Sequence, residues 1–280
     1  MKYRIARDDV LIRIDHHFIP VQVDVWAPDN PKVTAICFHQ YFGTTEEFSL
    51  LGQLFAARGI TLVAPLLPGR VPSAFLKNGL RYDLATFLRI LIQVCERYQT
   101  TKNCLIGHGF GGLLCLAAAR ARLVRPHALV LQDVPLRGNW RDSCVGQTTA
   151  ALAGLTDTHA EPLERQILAT VAAHGLGLYS PQWAKALIRP AGYGYRTKLD
   201  PQLAAAEWPG FDFSAFLEKT KLPTAIFCRE PGGIMTHFRQ TAIAQNTKCR
   251  LFEYESSFLP GFGVTYKEIF ELLFSNVIDT

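Results

Sequence analysis

The hydrophobic pattern of the chain changes near residue 30. Between Val10 and Val25 apolar and polar residues alternate, with His16 and His17 between two runs, and this period of two predicts an antiparallel hairpin. From Val33 onward, uninterrupted apolar runs alternate with amphipathic segments. Strands that are apolar throughout are typical of a parallel sheet covered by helices on both faces. The pattern therefore predicts a doubly wound α/β fold.

The predicted elements alternate along most of the chain. Strands are predicted at 33–38, 60–65, 103–107, 127–133, 223–228 and 248–254, and helices at 46–58, 80–98, 110–122, 213–219, 234–244 and 266–277. Between 136 and 209 the strand rhythm disappears, and the segment is rich in Ala, Gly, Leu and aromatic residues. We expect a mostly helical cap at 136–209, inserted into a core formed by 1–135 and 210–280.

Composition agrees with one large domain, since 49% of the 280 residues are hydrophobic. Charged residues interrupt the first thirty positions, and no run of eighteen apolar residues occurs, so neither a signal peptide nor a membrane span is expected. The seven cysteines are odd in number and form no C-x-x-C pair, which suits a reducing compartment. We expect a cytoplasmic protein.

The formal net charge of +5 is spread along the chain without basic runs, which argues against a nucleic-acid partner. Several arginines fall in the middle third: Arg137, Arg141, Arg165, Arg189 and Arg196. They would favour an anionic ligand or an acidic protein surface if they converge, but ordinary solvated arginines are the favoured explanation. His, Cys and Asp residues show no metal-ligand spacing, so neither a metal nor a cofactor is expected.

Residues 103–119 form the most specific motif. A predicted strand runs into G-H-G-F-G at 107–111 and then directly into an alanine-rich helix. Small residues around a central position permit the sharp turn with which a G-x-S-x-G motif lifts a nucleophile above a sheet. A dinucleotide-binding turn instead needs G-x-G-x-x-G and an acidic residue about twenty positions later. The spacing here, G-x-G-x-G-G, argues against a nucleotide site.

Three further segments occur in the order in which α/β hydrolases carry them. The sequence F-H-Q-Y-F-G at 38–43 resembles the H-G-x-x-G loop, which provides one oxyanion-hole amide in that family. The pair F-A-A-R-G-I at 55–60 and A-P-L-L-P-G at 64–69 resembles a second landmark, and L-P-T-A-I-F at 222–227 resembles the strand before the catalytic acid. The chain thus resembles the α/β hydrolase superfamily over nearly its whole length. The resemblance implies a mostly parallel sheet with a helical cap insertion.

The resemblance also implies a Ser-His-Asp triad, and this sequence lacks it. Gly109 stands at the nucleophile position, Gly232 at the acid position and Ser257 at the histidine position. Gln40 replaces a glycine of the oxyanion loop and should narrow or alter it, and Leu66 replaces an aspartate. Glycine at position 109 relieves the strain of a positive φ and is expected to open the floor of the pocket.

These departures predict a non-hydrolytic protein, a pseudoenzyme with a degenerate triad, that binds a small apolar or acyl-like ligand or a protein partner. The expected ligand contacts are His39, Gln40, Tyr41, Gly109 and Phe110. The alternative is an atypical enzyme that needs no triad, such as a lyase, decarboxylase, cyclase or rebuilt hydrolase. Its candidate acid-base residues are His237, Glu230 and Asp133. Ordinary serine-hydrolase turnover is not expected.

Overall fold

A computed structural model describes residues 3–31, 33–77, 79–100, 102–139, 144–174, 179–205, 209–229 and 246–254, together with Ile269. The strands are β1 (Tyr3–Ile14), β2 (His17–Pro28), β3 (Val33–Phe38), β4 (Ile60–Pro65), β5 (Asn103–His108), β6 (Ala128–Gln132), β7 (Arg137–Gly138), β8 (Thr156–Asp157), β9 (Ile188–Ala191), β10 (Gly194–Thr197), β11 (Phe211–Asp212), β12 (Thr224–Arg229) and β13 (Cys249–Tyr254). The α-helices are α1 (Ser49–Ala56), α2 (Leu84–Tyr98), α3 (Phe110–Arg120), α4 (Cys144–Ala153), α5 (Ala160–Ala173), α6 (Pro181–Ala186) and α7 (Ser214–Lys219).

Eight strands form the central sheet, in the order β1-β2-β4-β3-β5-β6-β12-β13. β1 and β2 pair antiparallel, with Val10 opposite Val21, which confirms the predicted hairpin. β2 also runs antiparallel to β4, and every later neighbouring pair in the sheet is parallel. The doubly wound, mostly parallel α/β fold is therefore confirmed. β3 and β6 are buried along their whole length because helices cover both faces of the sheet.

Some helix boundaries differ from the predicted ones for local reasons. The helix predicted at 80–98 begins at Leu84, since the Asp83 side chain accepts a 2.8 Å hydrogen bond from the Thr86 N–H and caps the helix. The helix predicted at 46–58 is divided into a 3₁₀ turn, Thr45–Phe48, and α1. The helices predicted at 234–244 and 266–277 lie outside the described residues, apart from the helical position Ile269.

The insertion between β6 and α7 contains α4, α5 and α6, and also a small antiparallel sheet in the order β8-β10-β9 that the sequence pattern did not predict. β7 pairs with β11, which places the two ends of the insertion side by side. Two buried side chains connect the insertion to the core. The Tyr82 hydroxyl donates to the Asp200 carboxylate at 2.6 Å, and the Tyr41 hydroxyl donates to the Leu203 carbonyl at 3.1 Å.

Candidate functional site

The site begins at the turn between β5 and α3. β5 ends at His108, α3 begins at Phe110, and Gly109 between them has φ +50° and ψ −109°. A positive φ with this ψ is strained for any residue with a side chain, and glycine adopts it without that strain. The Gly109 N–H donates to the Gln132 carbonyl at 2.8 Å, which ties the turn to the end of β6. This sharp strand-to-helix turn has the geometry predicted for the elbow.

The side chain of Gln40 occupies the space in front of this turn. Its Oε1 accepts hydrogen bonds from the Tyr41 N–H at 2.8 Å and from the Phe110 N–H at 3.0 Å. One donor follows the elbow residue and the other belongs to the loop after β3. In a G-x-S-x-G protein, these two amides form the oxyanion hole. The side-chain oxygen of Gln40, Oε1, therefore occupies the position that an oxyanion would take.

The nitrogen of the same amide lies over Gly109. A Cβ on Gly109 would lie 2.0 Å from Gln40 Nε2 and 2.5 Å from its Cδ. We expected glycine at this position to open the floor of the pocket, and that expectation was wrong because the Gln40 side chain fills the space. Gln40, which we expected to narrow or alter the oxyanion loop, accepts hydrogen bonds from the two backbone amides at this turn.

His39 holds the backbone of this loop in place. Its Nδ1 lies 2.7 Å from the backbone carbonyl oxygen of Gln40, and its Nε2 accepts a hydrogen bond from the Leu67 N–H at 3.1 Å. Complete burial, with the nearby charge of Arg70 as the second cause, lowers the pKa of His39 well below its usual value. A neutral ring with the proton on Nδ1 satisfies both contacts. His39 thus connects the loop after β3 to the loop after β4.

A buried Glu47–His108 pair supports the same loop from below. Glu47 Oε2 lies 2.8 Å from His108 Nδ1, and the two side chains are 0% and 1% exposed. The Gln40 backbone N–H donates to the same carboxylate oxygen at 3.2 Å. Sequence reasoning missed Glu47, since an acidic residue in the first turn of a helix is ordinary and carries no signal of burial.

Aromatic side chains pack above the elbow. The Tyr41 ring meets Phe110 edge to face with centroids 4.7 Å apart, and the Arg70 guanidinium lies 5.4 Å from the Tyr41 centroid. Phe42 contacts Trp183 of the insertion with centroids 5.9 Å apart. The five residues predicted to contact a ligand do lie together, and all five are buried: His39, Gln40, Tyr41, Gly109 and Phe110.

The other predicted residues do not converge in the described part of the chain. Asp133 follows β6 with φ +48°, and its N–H donates to the Phe227 carbonyl at 2.9 Å. Arg165 pairs with Glu161 and Arg137 with Asp212 at separate exposed positions, whereas Arg189 and Arg196 lie opposite each other in β9 and β10. Five predicted residues lie outside the described residues: Arg141, Glu230, Gly232, His237 and Ser257.

The described cysteines are buried, and the described His, Cys and carboxylate side chains are not grouped as metal ligands. Within the ranges given above, no three His, Cys, Asp or Glu side chains are grouped closely enough to hold a metal ion. The six cysteines whose side chains are described are buried and form no disulfide bond with one another. Burial raises the pKa of Cys95 to about 12 and that of Cys249 to about 11, so these two groups remain thiols.

Among the helices of the same ranges, none combines the length and apolar character of a membrane span.

A glycine elbow at the end of a central parallel strand, facing two backbone amides under an insertion, defines an α/β-hydrolase-type protein. The family model of the alpha/beta hydrolase family matches residues 35–255, and the chain belongs to this family. A search of curated proteins gives no match.

Similar solved structures cover almost the whole chain. An α/β hydrolase from Novosphingobium aromaticivorans has a TM-score of 0.75 at 17% identity, covering 97% of this chain and 98% of that chain. A putative hydrolase from Rickettsia typhi has a TM-score of 0.73 at 15% identity, covering 96% and 98%. A thioesterase domain from the curacin biosynthetic pathway has a TM-score of 0.72 at 17% identity, covering 95% and 99%. At such low identity these likenesses define the fold only.

Proposed function

We propose that this chain is a non-hydrolytic member of the α/β hydrolase family, which keeps the fold for binding and not for acyl transfer. The position of the Gln40 amide carries the proposal. Its oxygen accepts from both backbone amides that would stabilise an oxyanion, and its nitrogen lies where a Cβ at position 109 would lie. One side chain thus occupies the positions of both the nucleophile and the oxyanion.

The chemistry of acyl transfer supports the same conclusion. The triad mechanism needs a hydroxyl to attack, an imidazole to take its proton and a carboxylate to orient the imidazole. Gly109 has no side chain, and the sequence has Gly232 and Ser257 at the positions that match the acid and the histidine. Occupied amides also cannot polarise an ester carbonyl until Gln40 leaves them. Each hydrogen bond lost in that movement costs about 0.5–1.5 kcal/mol.

The ligand in this proposal is a small apolar or acyl-like molecule or a protein partner. Binding against Tyr41, Gly109 and Phe110 requires the Gln40 side chain to rotate out of the amides, because these residues are buried in the present arrangement. The aromatic rings of Tyr41, Phe42 and Phe110 would then provide an apolar surface for an acyl chain.

The test is turnover of p-nitrophenyl esters with short and medium acyl chains by the repurified protein. We expect rates equal to the buffer blank across the panel, for the wild type and for Gly109→Ser alone. Gly109→Ser is the matched variant because it introduces a hydroxyl without removing Gln40, whose Nε2 lies 2.0 Å from the position of the new Cβ. The serine competes with the Gln40 amide for this space and still has no histidine at the matching position, Ser257.

Saturable wild-type turnover that survives repurification and changes on Gln40→Gly would overturn the proposal. Turnover that disappears in Asp133→Asn would overturn it as well, in favour of an enzyme that needs no triad.

A further inference from the structure

Two adjoining grooves lie on the face formed by α2, α3 and α7, and Phe110 of the candidate site belongs to the wall of the first one. The first groove, here named the apolar groove, runs between α2, α3 and β11 and has a volume of about 540 Å³. Its walls are mostly hydrophobic and include Leu84, Leu88, Leu113, Ala117, Phe211 and Phe213. A concave apolar surface of this volume falls within the range of small-molecule sites.

The second groove, here named the basic groove, lies between the carboxyl ends of α3 and α7 and has a volume of about 650 Å³. Five cationic residues and no acidic residue line it: Arg120, Arg122, Arg125, Lys219 and Lys221. No ion pair within the described ranges involves any of the five. Five like charges around one concave surface repel each other and attract an anion.

Helix dipoles explain only part of this charge. Arg120 is the last residue of α3 and Lys219 the last of α7, where a cation gains about 0.3–1 kcal/mol from the helix dipole. Arg122, Arg125 and Lys221 lie beyond the helix ends. Their positive charge adds repulsion without satisfying a carboxylate of the described chain.

Arg120 joins the two grooves, since it lines both of them. Its Nη1 donates to the Asp212 carbonyl at 2.9 Å, and its guanidinium lies 5.7 Å from the centroid of the Phe213 ring. The side chain is therefore held at the boundary between apolar and basic walls. A ligand that follows both grooves meets hydrophobic side chains at one end and cations at the other.

We propose that the two grooves form one binding site for an amphipathic small molecule with an apolar chain and a phosphorylated head group. The apolar groove receives the chain and the basic groove receives the phosphate. A phosphate fits better than a carboxylate, because it carries more charge and three acceptor oxygens for several cations. The site is separate from the proposed loss of hydrolysis, and either proposal can fail without the other.

Isothermal titration calorimetry with decyl phosphate, decanol and inorganic phosphate tests the site. We expect decyl phosphate to bind at least about tenfold more tightly than either fragment, and its affinity to fall with added salt. Decanol or phosphate binding as tightly as decyl phosphate would overturn the joint site, as would the absence of saturable decyl phosphate binding.

Charge reversal locates the head group. In Arg125→Glu/Lys221→Glu we expect the Kd for decyl phosphate to rise at least about tenfold. The matched control is Arg4→Glu/Arg13→Glu, which makes the same charge change on β1, at the opposite edge of the sheet from α7, and should change the Kd less than about twofold. An equal rise in Kd in the two double variants would show that only the net charge matters, and it would overturn the proposed site.

A second variant tests the apolar groove independently. Ala117 lines this groove, and Ala117→Phe places a larger side chain in it. We expect this variant to weaken the binding of decyl phosphate and to leave the binding of inorganic phosphate unchanged. Unchanged decyl phosphate affinity would overturn this part of the proposal. Decanoyl coenzyme A and a decanoyl lysophosphatidate then distinguish a nucleotide head group from a lipid head group, and binding of neither would contradict the proposed ligand class.

Discussion

At the scale of single residues, Gln40 provides the acceptor for two buried backbone N–H groups at the glycine elbow. The Tyr41 and Phe110 N–H groups point into a buried space, and without an acceptor each would cost about 1–3 kcal/mol. The side-chain oxygen of Gln40 accepts a hydrogen bond from both N–H groups, and the absence of a side chain at Gly109 leaves room for the rest of the Gln40 amide. The Gln40 side chain and the lack of a side chain at Gly109 are therefore complementary, and the role of each residue depends on the other.

A double-mutant cycle measures that fit. Gly109→Ala should destabilise the wild type through both backbone strain at φ +50° and the contact with Gln40. In a Gln40→Gly background only the strain remains, so the loss in free energy of unfolding should be smaller by at least about 1 kcal/mol. Urea denaturation of the wild type, the two single variants and the double variant gives this coupling energy. Equal losses in free energy of unfolding in both backgrounds would show that the two residues do not interact.

His39 gives a pH-dependent stability. Its folded-state pKa is lowered, so at acidic pH the unfolded chain binds a proton that the folded chain does not. The stabilisation is fully present above about pH 6.5 and is lost as the pH falls toward the lowered folded-state pKa. In His39→Gln, the slope of unfolding free energy against pH below 6.5 should decrease by up to about 1.4 kcal/mol per pH unit. Urea denaturation at several pH values measures it.

The control for this experiment is His16→Gln, which replaces an exposed histidine of the hairpin. It should leave the slope as in the wild type. A His39→Gln slope equal to that of the wild type would mean that the ring is protonated in the folded protein.

At the scale of elements, the position of α3 depends on how closely it approaches the sheet. A Cβ on Gly111 would lie 1.9 Å from the Phe38 carbonyl oxygen, and one on Gly112 would lie 2.1 Å from Val134 Cγ2. The first contact is with backbone of β3, which cannot rotate away. Glycine at the start of α3 thus brings the Phe110 N–H within reach of Gln40, which follows β3 two residues later.

Gly111→Ala should therefore destabilise the protein by at least about 2 kcal/mol, because β3 and α3 must separate. Gly154→Ala is the matched control, since a Cβ there has nothing within 4 Å, and its effect should stay within about 0.5 kcal/mol. Thermal or urea unfolding compares the two. Similar losses would show that the close approach of α3 to β3 is not a constraint.

At the scale of the whole molecule, the core and the insertion are joined by buried polar contacts as well as by aromatic packing. The Tyr82 hydroxyl accepts the Leu76 N–H at 2.9 Å and donates to Asp200 at 2.6 Å, which links the loop before α2 to the insertion. Burial, followed by the hydrogen bond to Asp200, raises the pKa of Tyr82 above its usual value. The hydroxyl is therefore a donor throughout the physiological range.

Tyr82→Phe should lower the free energy of unfolding by about 2–3 kcal/mol, because it leaves two buried partners unpaired. Tyr98→Phe is the matched control, since the Tyr98 hydroxyl makes a hydrogen bond to Asp8 in a half-buried position where water can replace it. Its cost should be about 1 kcal/mol or less. Urea denaturation checks both, and the reverse order would show that the Tyr82 link is not important for holding the insertion.

The elements that the sequence predicted best are those with a strong local period. The hairpin, the parallel strands and the glycine turn at 107–111 follow from side-chain alternation, from runs of apolar residues and from the backbone freedom of glycine. The small sheet of β8, β9 and β10 escaped prediction because its strands have two to four residues, too few to show a period. We continue to propose 136–209 as the limits of the cap.

The candidate site likewise has some features that the sequence determines and others that only the tertiary structure shows. The sequence by itself determined that position 109 has no side chain and that a glycine turn links a strand to a helix there, since both depend on residue identity and local backbone. Only the tertiary structure decided what fills the space. Parallel pairing places β3 beside β5, so the loop after one strand meets the helix after the other. That juxtaposition brings Gln40 to an amide 70 positions away and Glu47 to a histidine 61 positions away, which no local pattern encodes.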